Sequence, residues 1–155
     1  MKEFFAWEEI GFVTGDNYLP EGCYMKVQDF EGRQHNWPPS ACLPKENDTR
    51  PRSEPHLRAR TLLRSLYPCD RVYEEVPLPG TRLFADFFIP SRRMIVEVQG
   101  EQHFEYTPFF HGTKLAFHES QQRDAQKKEW CELNNLHLVQ LPHDEELEIW
   151  QGRLR

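Results

Sequence analysis

Two acidic residues lie in stretches that are otherwise apolar, and they are the first candidates for chemistry. FADFFI, residues 84–89, is apolar apart from Asp86, and MIVEVQ, residues 94–99, is apolar apart from Glu97 and Gln99. Both stretches are typical of strands that face a core, where an uncompensated carboxylate is strongly destabilising. The two acids therefore indicate a site at which something compensates their charge.

A divalent cation would supply that compensation. Asp86 and Glu97 have ten residues between them and lie on strands expected to be adjacent, so they can converge at one end of a sheet. With a backbone carbonyl such as that of Val98, they would form an oxygen-rich pocket for Mg²⁺ or Mn²⁺. A metal there would stabilise charge on a phosphate and lower the pKa of a bound water. The pattern thus predicts metal-dependent chemistry on a phosphate ester.

The elements that must position these acids follow from periodicity and turn residues. Ser53 is a suitable N-cap for a helix with apolar residues at helical spacing, which Pro68 ends. A strand in RVYEEVPLPG precedes the two acidic strands, and a helix over about 115–134 follows them. LHLVQLP is a last strand, and a short helix ends the chain. The order predicts an α/β fold with a mixed central sheet flanked by helices.

The N-terminal region predicts a separate small unit. CYMKVQD alternates with a period of two, and glycines punctuate residues 1–45, which favours a small β-rich unit with a turn at FEGR. Residues 46–53, which are rich in proline and polar residues, are predicted to be a linker. The main domain would then cover residues 54–155.

Composition limits the classes of function. The chain has 155 residues, enough for one domain with a core, and no apolar run long enough to cross a membrane. Its four cysteines form no CxxC pair, and no signal peptide is evident, so a reduced, cytoplasmic protein is expected.

Positive charge is concentrated in one segment, although the net charge is −6. Residues 50–93 hold nine arginines, no lysine and five acidic residues, and arginine is suited to fork onto phosphates. The candidate DNA contacts are Arg58, Arg60, Arg64, Arg92 and Arg93. The alternative is a solvated helix face that balances acidic ends of the chain.

Four ordered motifs resemble a known superfamily. SEPHLRARTLL, ADFFIP, EVQGEQHF and QQRDAQKKEWC followed by LHLVQLP are similar to the PD-(D/E)XK nucleases, in particular to small phage and bacterial endonuclease-like proteins related to the very-short-patch repair fold. The resemblance covers residues 53 to about 143. It implies a restriction-endonuclease-like fold in which Asp86 and Glu97 bind Mg²⁺ and DNA is hydrolysed in the cytosol of a bacterium or of a phage-infected host.

The resemblance assigns roles to three further residues. Glu54 matches a helix acid that approaches the metal, although it can instead simply stabilise the N-terminus of its helix. Gln99 stands where the superfamily usually has the lysine that orients the attacking water. His103 would act in proton transfer, or would only shape its loop.

Lys127 is the candidate that can replace the missing lysine. Residues 117, 120, 124, 127, 131 and 134 share one helix face, and its middle positions are polar, so that face is expected to look towards the charged site. The alternative is a surface arrangement of Lys127 with Asp124 or Arg123. Cys131 is expected to be a buried core residue, not a nucleophile.

The leading hypothesis is therefore a Mg²⁺-dependent endodeoxyribonuclease with DNA as its partner and a homodimer as one expected state. The alternatives are a catalytically silent nucleic-acid-binding module that kept the fold, and a nuclease subunit that a partner protein targets.

Overall fold

The structure, a computed structural model, describes residues 25–37, 51–100 and 113–155. Its strands are β1 (Met25–Gln28), β2 (Gln34–Trp37), β3 (Tyr73–Pro77), β4 (Phe84–Ile89), β5 (Met94–Gln99) and β6 (His137–Pro142). Its α-helices are α1 (Glu54–Leu66), α2 (Lys114–Leu133) and α3 (Leu147–Leu154), and a short 3₁₀ turn covers Pro90–Arg92. The predicted order of elements from α1 onwards is confirmed within these residues.

Four strands form a mixed sheet in the order β3-β4-β5-β6. β4 runs antiparallel to both β3 and β5, whereas β5 and β6 are parallel. Parallel neighbours need a crossover connection, and α2 lies in that connection. The fold is therefore of the mixed α/β class.

The turn between β4 and β5 is set by Pro90 and Arg93. Arg93 adopts a left-handed conformation (φ 48°), and its N–H donates to the Pro90 carbonyl at 2.9 Å. A non-glycine residue is disfavoured in this conformation by roughly 1 kcal/mol. Hydrogen bonds from the Arg93 guanidinium to the Asn134 and Asn135 carbonyls, at 2.8 and 3.2 Å, offset that strain and tie the turn to the end of α2.

The two faces of the sheet carry two hydrophobic clusters, because neighbouring residues of a strand point to opposite sides. Phe87 and Val96 pack with α1 and α3, while Phe88 and Ile95 pack with the second half of α2. Ser53 caps α1 as predicted, its hydroxyl accepting from the His56 N–H at 3.4 Å. Each helix thus covers a face of the sheet.

The β1–β2 hairpin packs against the α2 side of the sheet and shares its core. Trp37 lies flat on Phe88 with ring centroids 4.5 Å apart, and meets Trp130 edge-on at 5.5 Å. The Asn134 side chain accepts a hydrogen bond from the Gln28 N–H at 2.6 Å and donates one to the Gln28 carbonyl at 3.0 Å. Residues 25–37 of the predicted small unit therefore share a hydrophobic core with the main sheet, and the division of the chain at residue 45 stays a prediction. The rest of that unit, and residues 46–50 of the predicted linker, lie outside the described residues.

Candidate metal centre

Asp86 and Glu97 come together where β4 and β5 part. The antiparallel ladder ends at the pair Phe87 and Val96, and one step further along that register Asp86 lies opposite Glu97. Side chains replace the missing ladder bonds at this point. The Val98 N–H donates to Asp86 Oδ2 at 2.8 Å, and the Asp86 N–H donates to Glu97 Oε1 at 3.3 Å.

Lys127 reaches this pair from α2. Its Nζ donates to Glu97 Oε2 at 3.0 Å, and its side chain is largely buried. Trp130 and Cys131 anchor the second half of α2 in the core, and Lys127 lies one turn before Cys131 on the same side of the helix. The polar position on a packing face therefore points an ammonium group at the carboxylates.

The charges of this cluster are incompletely balanced. Glu97 is only 7% exposed, and two carboxylates face one ammonium. Burial, together with the nearby Asp86 carboxylate, raises the pKa of Glu97 to about 8, although Lys127 opposes the shift. A proton is therefore held by Glu97 near neutral pH, and a bound cation would displace it.

Cys131 lies beside this site but is not a nucleophile. Burial raises the pKa of its thiol to about 12, and the negative charge of Glu97 adds to the shift. A thiol with such a high pKa stays protonated and unreactive. The structure accordingly places Cys131 in the core.

The chemistry of the pair fits a hard divalent cation. Mg²⁺ is commonly held by one or two carboxylates and retains waters that substrate oxygens can replace. Asp86 and Glu97 supply two such groups, and the Val98 carbonyl, beside the N–H that holds Asp86, is a third oxygen of the same segment. Among residues 25–37, 51–100 and 113–155, however, no group of three or more His, Cys, Asp or Glu side chains is arranged to hold a metal.

Glu54 lies apart from the pair Asp86 and Glu97 among the described residues, and its role at a metal stays a prediction. It is the first residue of α1, it is exposed, and it is not grouped with Asp86 and Glu97. Its position in the first turn stabilises the N-terminus of α1, which was the alternative expectation.

Two further predicted site residues lie at or beyond the end of β5. Gln99 is the last residue of β5 and half-buried, and its carbonyl accepts from the His143 N–H at 2.8 Å. His103 lies outside the described residues, so its predicted role stays a prediction.

The arginines of α1 have partners within the protein. Arg58 donates to the Glu145 carbonyl at 2.6 Å and stacks over Trp150 at 4.0 Å. Arg60 donates to Glu74 at 2.8 Å, and Arg64 lies 4.0 Å from the same carboxylate. Only Arg64 among the three keeps a largely exposed side chain.

The arginines of the β4–β5 turn are engaged as well. Arg92 binds Asp70 at 2.9 Å and stacks over Tyr67 at 4.1 Å, and Arg93 bonds the end of α2. Since α1 and α2 cover opposite faces, Arg93 is directed away from the arginines of α1. The predicted DNA contacts therefore do not form one unpaired basic surface, and their binding to DNA stays a prediction.

A second buried acid, Glu74, was not singled out from the sequence. Glu74, on β3, accepts hydrogen bonds from His56 Nε2 at 2.9 Å and from Arg60 Nε at 2.8 Å. Burial alone would raise the pKa of Glu74, but these two partners outweigh it and hold the pKa below its ordinary value. The signal was present in YEEVP, an acid inside an apolar strand, as at Asp86. Because the Arg60 guanidinium and the His56 ring already bond Glu74, we interpret the network as a structural one.

The proteins to which this chain is similar are viral. It is 32% identical over 100 residues to uncharacterized protein 033L of Invertebrate iridescent virus 3, a match covering 64% of this chain and 52% of that protein. It is 38% identical over 58 residues to uncharacterized protein 307L of Invertebrate iridescent virus 6, covering 37% and 29%. A third match, uncharacterized protein 094L of Frog virus 3, is 31% identical over 68 residues and covers 43% and 44%.

The matches span about half or less of these relatives' lengths. No family model and no solved structure matches the chain. Within the described part of the chain, no helix has both the length and the apolar character that crossing a bilayer requires.

Proposed function

We propose that this protein is a Mg²⁺-dependent DNA endonuclease that hydrolyses phosphodiester bonds, with Mn²⁺ able to replace Mg²⁺. The observation that carries the proposal is the pair of the half-buried Asp86 and the buried Glu97 at the point where two strands part, with Lys127 Nζ 3.0 Å from Glu97. A buried acid and a half-buried acid that share one ammonium repel each other, and a further cation would relieve that repulsion.

Each side chain has a defined task in this proposal. Asp86 and Glu97 hold the cation, which when bound would polarise the scissile phosphate and acidify a water. Lys127 keeps Glu97 oriented and opposes negative charge that develops on the phosphate. Gln99 can hydrogen-bond a water but supplies no charge, so Lys127 takes over the electrostatic part of the role that the superfamily gives to a lysine in this strand.

A restriction-endonuclease-like fold belongs to the same proposal. The order of α1, three antiparallel strands, α2 and a parallel fourth strand supports it, as does the position of the acids on adjacent strands. A cytoplasmic location and a homodimer remain expectations that follow from the resemblance and the composition.

Cleavage assays on purified protein test the proposal. Linear, branched and mismatched DNA and supercoiled plasmid are incubated with Mg²⁺, with Mn²⁺ and with a chelator. We expect cleavage that requires a metal and that is lost in Asp86→Asn and in Glu97→Gln. Glu148→Gln removes an exposed carboxylate and should cleave like the unmodified protein. Full activity in both site variants would refute the assignment.

One observation favours a second candidate, a silent DNA-binding module. β5 has no lysine after Glu97, and Lys127 already neutralises part of the carboxylate charge without any metal. Such a module would bind DNA but cleave none of the substrates under any metal. Cleavage that appears only after Gln99→Lys would support it.

A further inference from the structure

A groove about 540 Å³ in volume lies among three elements of the described structure. Phe30 from the β1–β2 turn, Gly80–Leu83 from the β3–β4 turn, and Arg123 and Gln126 from α2 line it. We call this feature the arginine–phenylalanine groove. Its volume is within the range of sites that bind small ligands or single nucleotides.

Two arginines of the groove form no ion pair within the described residues. Arg82 and Arg123 are both exposed, and neither has a hydrogen bond or ion pair within residues 25–37, 51–100 and 113–155. The five arginines on α1 and the β4–β5 turn, in contrast, all have acidic, carbonyl or aromatic partners. In a chain with a net charge of −6, two unpaired guanidinium groups in one groove favour an anionic ligand with more than one charge.

Phe30 is held at the groove by a well-ordered turn. Asp29, beside it, is 1% exposed and accepts hydrogen bonds from His35 Nε2 at 2.8 Å and from Arg33 Nε at 3.0 Å. Gly80 packs so closely on Asp29 that an added Cβ would lie 2.3 Å from the Asp29 Cβ. Phe30 nevertheless remains 44% exposed, so its ring is presented to a ligand instead of to the core.

Two segments of the chain connect residues of the groove to residues of the metal centre. Arg123 lies about one turn, or roughly 6 Å, before Lys127 on α2. Arg82 lies four residues before Asp86, at most roughly 13 Å along the chain. A polymer bound at the centre is therefore long enough to extend to the groove.

We propose that the arginine–phenylalanine groove binds a single-stranded stretch of DNA next to the bond that is cleaved. Arg82 and Arg123 bind its phosphates, and an unpaired base stacks on Phe30. Aromatic rings combined with arginines are typical of single-strand sites, because the bases of a duplex are already stacked on one another. The inference rests on the proposed function, and it makes branched, flapped or gapped DNA the substrate class.

DNA binding measured in the presence of a chelator tests the groove without cleavage of the DNA. Fluorescence anisotropy is measured with a labelled DNA strand of about 20 nucleotides, several times longer than the smallest single-strand sites, and with the matching duplex. We expect the unmodified protein to bind the strand more tightly than the duplex. Arg82→Gln combined with Arg123→Gln should weaken strand binding about tenfold at low salt and make the salt slope shallower by about 1.4.

Phe30→Ala should weaken strand binding by about tenfold and leave duplex binding unchanged. Arg155→Ala removes a positive charge from the end of α3, on the opposite side of the sheet, and should bind like the unmodified protein. Thermal melting checks that each variant is folded. Unchanged strand affinity in the folded arginine variant would overturn the inference, as would equal or tighter binding of the duplex. Tighter binding of an RNA strand of the same sequence would overturn DNA as the ligand.

The two proposals fail in different ways. If the groove variants lose strand binding but the unmodified protein cleaves no DNA with any metal, the groove stands and the endonuclease fails. If branched DNA is cleaved equally by the unmodified protein and by the groove variants, the endonuclease stands and the groove fails.

Discussion

Glu97 is the residue whose ionisation decides the state of the site. Its carboxyl is buried, faces Asp86 and has one cationic neighbour, so the protonated form is favoured until the pH approaches about 8. Metal binding requires the carboxylate form, and it therefore competes with this proton.

The raised pKa predicts how stability depends on pH without metal. In the folded protein the pKa of Glu97 is about 8, whereas its ordinary value, taken for the unfolded chain, is 4.5. The folded protein therefore binds this proton more tightly. The contribution of Glu97 is fully present below about pH 4.5 and is lost as the pH rises towards 8. Thermal unfolding in a chelator should show a lower Tm at pH 8.5 than at pH 5.5. Glu97→Gln should show a smaller fall, since other titrating groups affect both proteins equally. An identical fall in both proteins would contradict the assignment.

Lys127 is expected to act on turnover rather than on DNA affinity. Lys127→Ala should lower kcat by about 10²–10⁴-fold, the usual range for a group that acts in the transition state, while the Kd for DNA changes little. Gln99→Lys on that background should restore part of the rate by returning a charge to β5. Lys128→Ala, which removes the next lysine of α2, is the control. Full activity of Lys127→Ala would mean that the metal and Gln99 suffice.

At the residue scale, the sequence identified the acids through their unusual setting, but it did not identify their partners. Asp86 and Glu97 could be predicted because an acid in an apolar strand requires an explanation. The engagement of Arg58 with Trp150, and of Arg92 with Tyr67, depends on the distant packing of elements. Local charge counts do not contain that information.

At the scale of elements, helices and strands were predictable where caps and periodicity agree. Ser53 begins α1 and Pro68 follows its end, and the alternation in residues 25–28 produced the expected strand β1. The packing of the β1–β2 hairpin was not predictable. An alternation of apolar and polar residues along a strand indicates which face of the strand is buried, but it does not indicate which element covers that face.

The contact between the β1–β2 and β3–β4 turns can be tested with one methyl group. Gly80 has φ +76° and lies against Asp29, so Gly80→Ala adds both backbone strain and a clash. We expect a loss of stability of about 2 kcal/mol or more in chemical denaturation. Gly152→Ala, on α3, meets nothing within 4 Å and should be neutral or stabilise the helix by up to about 1 kcal/mol. A stable Gly80→Ala protein would show that the turns do not touch.

At the scale of the whole molecule, the hairpin must be present for the sheet to be covered. Tyr73, Phe88 and Trp130 belong to the same hydrophobic cluster as Trp37, so removing residues 1–45 would expose them. An independent unit over residues 1–45 would leave the main domain folded after such a truncation. The shared core instead predicts that it loses cooperative unfolding.

Circular dichroism during heating would measure that loss. Trp37→Ala in the full chain should lower stability by about 3–5 kcal/mol, as expected for a large side chain removed from a core. Trp37→Phe, which keeps an aromatic ring, should cost less. A truncated protein that melts like the full chain would instead support the prediction that residues 1–45 form an independent unit.

The arrangement of Trp37 and Trp130 also makes the protein its own optical probe. Both indole Nε1 atoms are buried and have no hydrogen-bond partner in the described part of the chain, and the two rings meet edge-on beside Phe88. Indoles in such a dry setting emit at shorter wavelengths than indoles in water. Trp130 belongs to the helix that carries Lys127, and Trp37 belongs to the hairpin that presents Phe30. In a variant whose other two tryptophans, Trp7 and Trp150, are replaced by phenylalanine, a red shift in emission would therefore report detachment of the hairpin, without any added label.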